Sequence, residues 1–196
     1  AYEIMPSLVG SEMCIRDSDQ IVQAAKWLEA RGVRAIVGAC GYFANFQTQV
    51  QAAVRVPVLL SSLAQLPLIK TSLRADQRIA VLVADIQGAT PELLANVNAT
   101  PDKVTFVDIG SLPEFHAIRY GETTLDNGAL KRALVQKAVA AVKQDPSVGA
   151  LLLECSDLPP YAAAIQAGVG LPVFDFITLI NCLHQSLCQR PYYGFI

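Results

Sequence analysis

Two stretches decide the fold of this chain: VRAIVGAC at residues 33–40 and VGALLLEC at residues 148–155. Each is a largely apolar run that ends on a cysteine, Cys40 in the first and Cys155 in the second. A proline follows each cysteine after seventeen residues, within VPV at 56–58 and LPV at 171–173. The chain therefore contains an internal repeat of strand, cysteine, helix and strand.

The composition predicts a compact soluble protein. Apolar residues make up 53% of the 196 residues and charged residues 16%, which excludes a disordered chain. The net charge of −2 gives no sign of a nucleic-acid-binding surface, and no apolar run approaches the roughly 20 residues that span a membrane. The five cysteines show no C-x-x-C spacing and the two histidines no metal-ligand pattern, so we expect no metal. An odd number of cysteines predicts reduced thiols and a cytoplasmic location.

The N-terminal residues are set apart from the rest. Residues 8–18, LVGSEMCIRDS, resemble one reading frame of a sequencing-library adapter and show no clear helix or strand period. We interpret residues 1–18 as non-native or without fixed structure. The alternative is an ordinary strand and turn over residues 4–10.

From Asp19 onward the pattern alternates between helices and strands. Predicted strands lie at 33–39, 56–60, 78–84, 103–108, 149–154 and 171–174. Predicted helices lie at 19–32, 43–54, 63–73, 125–143, 159–167 and 176–188, with one more beginning at Thr90. This order predicts an α/β fold with mainly parallel sheets flanked by helices.

The repeat predicts two pseudo-symmetric lobes with an active site in the cleft between them. We assign residues 19–72 and 171–196 to a first lobe carrying Cys40, and residues 73–170 to a second lobe carrying Cys155. Aromatic residues near the C-terminus would pack on a lobe or on a second subunit of a homodimer: Tyr192, Tyr193 and Phe195.

Both repeat cysteines follow a buried strand and precede a helix. Ligands of parallel α/β sheets bind beyond the carboxyl ends of the strands. A helix N-terminus there offers free N–H groups and a field that lowers the pKa of a thiol. We therefore predict that Cys40 and Cys155 are catalytic. Ser61 and Ser62 follow another strand, where they would line the cleft or cap the next helix.

Two other cysteines, Cys182 and Cys188, lie on the last predicted helix at an interval of six. We interpret both as packing residues.

The two cysteine motifs resemble those of the aspartate/glutamate racemase family, which includes hydantoin racemases, maleate isomerases and arylmalonate decarboxylases. The resemblance covers nearly all of the chain after residue 19 and is carried by GACG at 38–41 and LECSDLP at 153–159. The family pattern has Asn-Thr after the first cysteine, where this chain has Gly41 and Tyr42. In the second motif Ser156 matches a threonine hydroxyl, while Asp157 replaces a histidine.

The resemblance implies racemisation or epimerisation at the carbon alpha to the carboxylate of a small acid such as an amino acid, without a cofactor. One cysteine thiolate would remove the proton and the other thiol would return one to the opposite face. Backbone N–H groups of Gly41 and Ser156 and the Ser156 hydroxyl would hold the enediolate, and Tyr42 and Asp157 would set specificity. Three alternatives stay open: cis–trans isomerisation of an unsaturated diacid, decarboxylation of the arylmalonate type, and a truncated, non-catalytic acid-binding protein.

Overall fold

The computed structural model describes residues 11–121 and 124–194, with side chains from residue 18 onward. Its helices are α1 (Ser11–Ala30), α2 (Gln47–Ala53), α3 (Leu66–Ser72), α4 (Pro91–Ala95), α5 (His116–Tyr120), α6 (Asn127–Gln144), α7 (Pro159–Val169) and α8 (Phe176–Leu187). Its strands are β1 (Ile36–Val37), β2 (Val58–Leu59), β3 (Arg78–Val83), β4 (Val104–Asp108), β5 (Val148–Leu153) and β6 (Val173–Phe174). Short 3-10 helices cover Gly41–Phe46, Ser62–Gln65, Ile86–Gly88, Pro101–Lys103 and Pro113–Phe115.

The strands form two parallel sheets. β1 pairs with β2, and the other four strands pair in the order β4-β3-β5-β6. Helices flank both sheets, so the α/β class and the parallel pairing agree with the sequence prediction. Within the described residues, no helix is both long and apolar enough to cross a bilayer.

The central strands of the larger sheet are buried on both faces. In β3, Ala80 and Leu82 pack toward α6 and α7, while Ile79, Val81 and Val83 pack toward α3 and α4. This two-sided burial explains why the strand is apolar at every position from Ile79 to Val83 rather than at alternate ones. The larger sheet therefore holds most of the core.

The smaller sheet has its own core with α1 and α2. Ala25, Ile36, Val50, Val58 and Leu60 are its buried members. Its strands are only two residues long, and a side chain supplements their hydrogen bonding.

That side chain is Gln47, at the start of α2. Its amide nitrogen donates to the Val58 carbonyl at 2.9 Å, and its amide oxygen accepts from the Leu60 N–H at 2.9 Å. The amide thereby fastens α2 to β2.

The predicted lobe boundaries need correction. α3, assigned to the first lobe, packs on the larger sheet through Leu66 and Ile69. β6, also assigned to the first lobe, pairs with β5 of the larger sheet. Gly170 explains the second error: its backbone φ of +68° ends α7, and β6 begins after two more residues. A connection this short lays β6 beside the strand that precedes α7.

The two chain ends also differ from expectation. Residues 11–18 form the first turns of α1, so the prediction that they lack regular structure is wrong. The segment from Ser11 to Ala30 contains no glycine or proline, and nothing local breaks the helix before it ends. Tyr192 and Tyr193 are more than 90% exposed and pack on neither sheet layer. The alternative strand at 4–10 and Phe195 lie outside the described residues.

Replacing Gln47 by Ala should destabilise the smaller sheet. The substitution leaves a buried carbonyl and a buried N–H without their partner, which costs about 2–4 kcal/mol of unfolding free energy. Urea unfolding followed by circular dichroism measures the loss. Gln49→Ala, an exposed position on the same helix, is the control and should change stability by less than about 0.5 kcal/mol. Equal effects of the two substitutions would contradict this role of Gln47.

Candidate active site

Cys40 lies where the chain leaves the smaller sheet. Two residues separate it from the end of β1, and its extended backbone (φ −149°, ψ 137°) caps the 3-10 helix Gly41–Phe46. The Cys40 carbonyl accepts from the Phe43 N–H at 3.1 Å. The residue is half-buried.

Cys155 takes the matching position in the larger sheet. It follows β5 after one residue, and its carbonyl accepts from the Leu158 N–H at 3.2 Å just before α7 begins. Its half-buried thiol donates to the Asp157 carboxylate at a sulfur–oxygen distance of 3.5 Å. Both cysteines thus follow the carboxyl end of a parallel strand, as the sequence predicts.

Glu154 joins the two cysteine loops. Its side chain is 1% exposed, and its carboxylate accepts hydrogen bonds from the backbone N–H groups of Ala84 (3.2 Å) and Gly41. The contact with Gly41 is so close that an added Cβ would lie 1.9 Å from the Glu154 Oε1 atom. The residue after Cys40 therefore packs directly on the residue before Cys155.

Ser62 makes a second link to the Cys155 loop. Its hydroxyl lies 3.0 Å from the Leu153 carbonyl and 3.2 Å from the Glu154 carbonyl, and the side chain is fully buried. Ser61 is also fully buried and accepts from the Leu63 N–H at 3.1 Å as a helix cap. Because both hydroxyls serve the backbone, the expectation that they line the cleft is wrong, and the alternative of capping holds for Ser61.

Tyr42 holds the loop after β3. Its hydroxyl donates to the Asp85 carbonyl at 2.5 Å and accepts from the Asp85 N–H at 2.9 Å. The ring lies against Gly88, where an added Cβ would be 2.7 Å from it. The Tyr42 hydroxyl, predicted to contact substrate, is therefore occupied by the protein itself.

The site is electrostatically unlike the one expected from helix N-termini. Burial raises the pKa of the Cys40 thiol, and the Glu154 carboxylate raises it further. N–H groups of Tyr42 and Phe43 lower it, as predicted, but are outweighed. Burial likewise raises the pKa of Cys155, and the carboxylates of Glu154 and Asp157 raise it further. One N–H group, that of Asp157, lowers it but is outweighed. The prediction of lowered thiol pKa values is wrong.

The carboxylates of Glu154 and Asp157 raise the pKa of both thiols. The Gly41 N–H, expected to face the substrate, donates to Glu154 instead. Ser156 is half-buried and Asp157 is exposed beside Cys155, so both remain open to a ligand. Among residues 11–121 and 124–194, no group of three or more His, Cys, Asp or Glu side chains could hold a metal ion.

Glu154 was not predicted as a site residue. The signal for it was present in the sequence, because an ionisable residue closes an otherwise wholly apolar strand. Burial raises the Glu154 pKa to about 7, and the charge of Asp85 adds to this, while the N–H groups of Ala84 and Gly41 oppose it. Cys182 and Cys188, expected to be packing residues, are instead exposed on and after α8.

Comparison with known proteins agrees with this architecture. The model of the Asp/Glu/hydantoin racemase family matches residues 6–180. The chain belongs to this family. Among solved structures, allantoin racemase from Klebsiella pneumoniae aligns with a TM-score of 0.63 at 17% identity, covering 93% of this chain and 70% of that one. Unliganded arylmalonate decarboxylase aligns with a TM-score of 0.60 at 18% identity, covering 96% and 84%. At these identities the two structures support the fold alone.

Curated relatives of higher identity carry a different name. Dimethylsulfoniopropionate lyase 6 of Emiliania huxleyi is 34% identical over 208 residues, covering 98% of this chain and 54% of that protein. Dimethylsulfoniopropionate lyase of Durusdinium sp. clade D is 30% identical over 169 residues, covering 84% and 56%. The chain thus spans about half the length of the curated relatives that it matches.

Glu154 should make the free energy of unfolding pH-dependent. Its folded pKa of about 7 exceeds the ordinary value of 4.5, so the fold binds the proton more tightly than the unfolded chain does. The resulting stabilisation is complete below pH 4.5 and is lost as the pH rises to 7, by about 3 kcal/mol. Urea unfolding at several pH values between 4.5 and 8 measures it.

Glu154→Gln is the matched control, since an amide does not titrate. Three other carboxylates have lowered pKa values: Asp76, Asp102 and Asp145. Their protonation removes stability only at a more acidic pH, outside this window. If the variant lost stability between pH 4.5 and 7 as steeply as the parent protein, Glu154 would not be the group responsible.

Proposed function

We propose that this chain uses a cysteine thiolate, without a cofactor, to remove a proton from the carbon alpha to the carboxylate of a small acid, and that the reaction is an elimination from a sulfonium acid such as dimethylsulfoniopropionate. The observation that supports proton removal by a cysteine is the contact between the loops of Cys40 and Cys155 through Glu154. The assignment of the reaction as an elimination is supported by dimethylsulfoniopropionate lyase 6 of Emiliania huxleyi, which aligns with 98% of the chain.

The elimination balances with a single base. The thiolate takes the alpha proton, and the C–H electron pair becomes the second bond between the alpha and beta carbons. The bond from the beta carbon to sulfur breaks with its electrons, which leave on neutral dimethyl sulfide. Acrylate remains, and the thiol returns its proton to water. Since the leaving group departs neutral, no acid is needed to assist it.

Cys40 is the base in this proposal. The N–H groups of Tyr42 and Phe43 lower the pKa of Cys40, whereas a single N–H group, that of Asp157, lowers the pKa of Cys155. N–H groups near a thiolate stabilise its charge, so Cys40, the cap of the 3-10 helix Gly41–Phe46, has the better support for ionisation. The half-buried Ser156 beside Cys155 is the donor that we assign to the developing enediolate.

The charges of the site favour a substrate that carries a cation. Asp157 is exposed, lies 3.5 Å from the Cys155 sulfur, and raises the pKa of both thiols. A sulfonium bound beside Asp157 would offset this charge and ease ionisation of the base. A second carboxylate on the substrate would be repelled at the same place. The geometry therefore favours a sulfonium acid over a diacid.

Racemisation or epimerisation is the second candidate. It is favoured by the matched positions of the two cysteines, one after β1 and one after β5. This reaction needs both thiols, one to remove the proton and the other to return one to the opposite face. The number of cysteines that turnover requires separates the two reactions.

The direct test supplies dimethylsulfoniopropionate and follows acrylate and dimethyl sulfide by proton NMR. Amino acids and hydantoins, tested in heavy water for alpha-proton exchange, probe the second candidate. Elimination without exchange in the chiral acids is the expected result. Exchange and loss of optical activity, without acrylate, would replace the lyase by a racemase. No reaction with either set would overturn the shared step of proton removal.

Substitution of each cysteine by Ala should have unequal effects. For elimination, Cys40→Ala should lower kcat/KM by about 10²–10⁴, the usual contribution of a positioned base, while Cys155→Ala should have a smaller effect. Steady-state kinetics with the active substrate measure both. Cys182→Ala, at an exposed position on α8, is the control. Equal, near-complete losses in both site variants would favour racemisation, and retention of full turnover in Cys40→Ala would exclude Cys40 as the base.

A further inference from the structure

We propose that Glu154 is a positioning residue that clamps the loop of Cys40 against the loop of Cys155. The proposed reaction assigns Glu154 no contact with substrate. The inference rests on the proposed role of the two cysteines for its effect on turnover, whereas the clamp itself rests on contacts alone.

The clamp joins three segments that are distant in sequence. Glu154 directly follows β5, while its two hydrogen-bond donors belong to residue 41, after β1, and residue 84, after β3. One carboxylate therefore connects the smaller sheet to two neighbouring strands of the larger sheet. At 1% exposure, water does not compete for these hydrogen bonds.

The clamp requires a glycine at position 41. An added Cβ there would lie 1.9 Å from Oε1 and 2.3 Å from Cγ of Glu154. Only a residue without a side chain lets the backbone N–H reach the carboxylate. The loop of Cys40 thus approaches Glu154 more closely than any residue with a Cβ atom would allow.

The ionised carboxylate suits both donors better than the acid does. A carboxylate accepts at both oxygens, whereas a protonated carboxyl group carries a hydrogen on one oxygen that faces any N–H bound there. Loss of the proton tightens the clamp but places a negative charge beside both thiols. The charged and titratable groups around Glu154 are Cys40, Tyr42, Asp85 with its ion-pair partner Arg119, Cys155 and Asp157.

Alkylation of the thiols tests the clamp without any substrate. Iodoacetamide reacts with thiolates, and mass spectrometry of peptides reads each cysteine separately. The rate is measured from pH 6 to 10 in the parent protein and in Glu154→Gln, which removes the charge and keeps one acceptor. We expect the alkylation of Cys40 and Cys155 near pH 8 to be about three- to tenfold faster in the variant, because the midpoint of each pH profile moves down.

Two internal controls accompany this measurement. Cys182 and Cys188 are exposed, far along the chain from the clamp, and should react at unchanged rates. Glu114→Gln removes the same charge from the 3-10 helix Pro113–Phe115 and should move neither site profile. If Glu154 did not hold the two cysteine loops beside its carboxylate, its replacement would leave both midpoints in place or change each rate by one factor at every pH, and that result would overturn the proposal.

Gly41→Ala provides a second variant, should Glu154→Gln fail to fold. The added methyl group displaces the loop of Cys40 from a carboxylate that keeps its charge. The pH profile of Cys40 should then move, while that of Cys155 stays. Unmoved profiles for both cysteines would again overturn the clamp.

Turnover completes the test. Loss of kcat with a smaller change in KM in Glu154→Gln is expected of a residue that positions the base. If the alkylation profiles move but no protein turns over any substrate, the proposed function fails and the clamp stands. If turnover is present and the profiles do not move, the clamp fails and the proposed function stands.

Discussion

An ionisable carboxyl group is costly to bury unless its oxygens find hydrogen-bond donors. Glu154 finds them in the backbone N–H groups of Gly41 and Ala84, which follow strands of different sheets. The rest of the site depends on this arrangement, since it places the residue before Cys155 against the residue after Cys40. The fully buried Ser62, whose hydroxyl lies within hydrogen-bond distance of the carbonyls of Leu153 and Glu154, also holds the backbone before Cys155 in place.

The clamp also sets the chemistry. Helix N-termini beside a cysteine ordinarily favour the thiolate. Here burial and two carboxylates outweigh the local N–H groups, so both thiols are harder to ionise than a free cysteine. Thiols that are hard to ionise react slowly with electrophiles at neutral pH. Under the proposed function, a cation on the substrate offsets the negative charge, and a thiol can then ionise and act as the base. This property links the exposed Asp157 to the preference for a sulfonium acid under the proposed function.

The internal repeat shows how far sequence symmetry extends into structure. Its cysteines occupy matching positions after β1 and β5, and the following strands pair in parallel with their partners in both copies. The copies differ in scale, however. β1 and β2 form a sheet of two short strands, whereas β5 and β6 join a sheet of four. The symmetry of the motifs therefore concerns the loops that carry the cysteines more than the sheets beneath them.

Local patterns in the sequence were enough to predict the alternation of helices and strands, the cysteines at strand ends, and single devices such as the cap of α4, where the Thr90 hydroxyl accepts from the Leu93 N–H. Such features depend on residues a few positions apart, so they can be predicted from short stretches of the sequence. The roles of Tyr42, Ser62 and Glu154 depend on partners between 43 and 113 positions away along the chain (Glu154 to Gly41, 154 − 41), which no local period encodes. Tertiary structure alone decided which buried polar groups meet, and thereby the charge that surrounds both thiols.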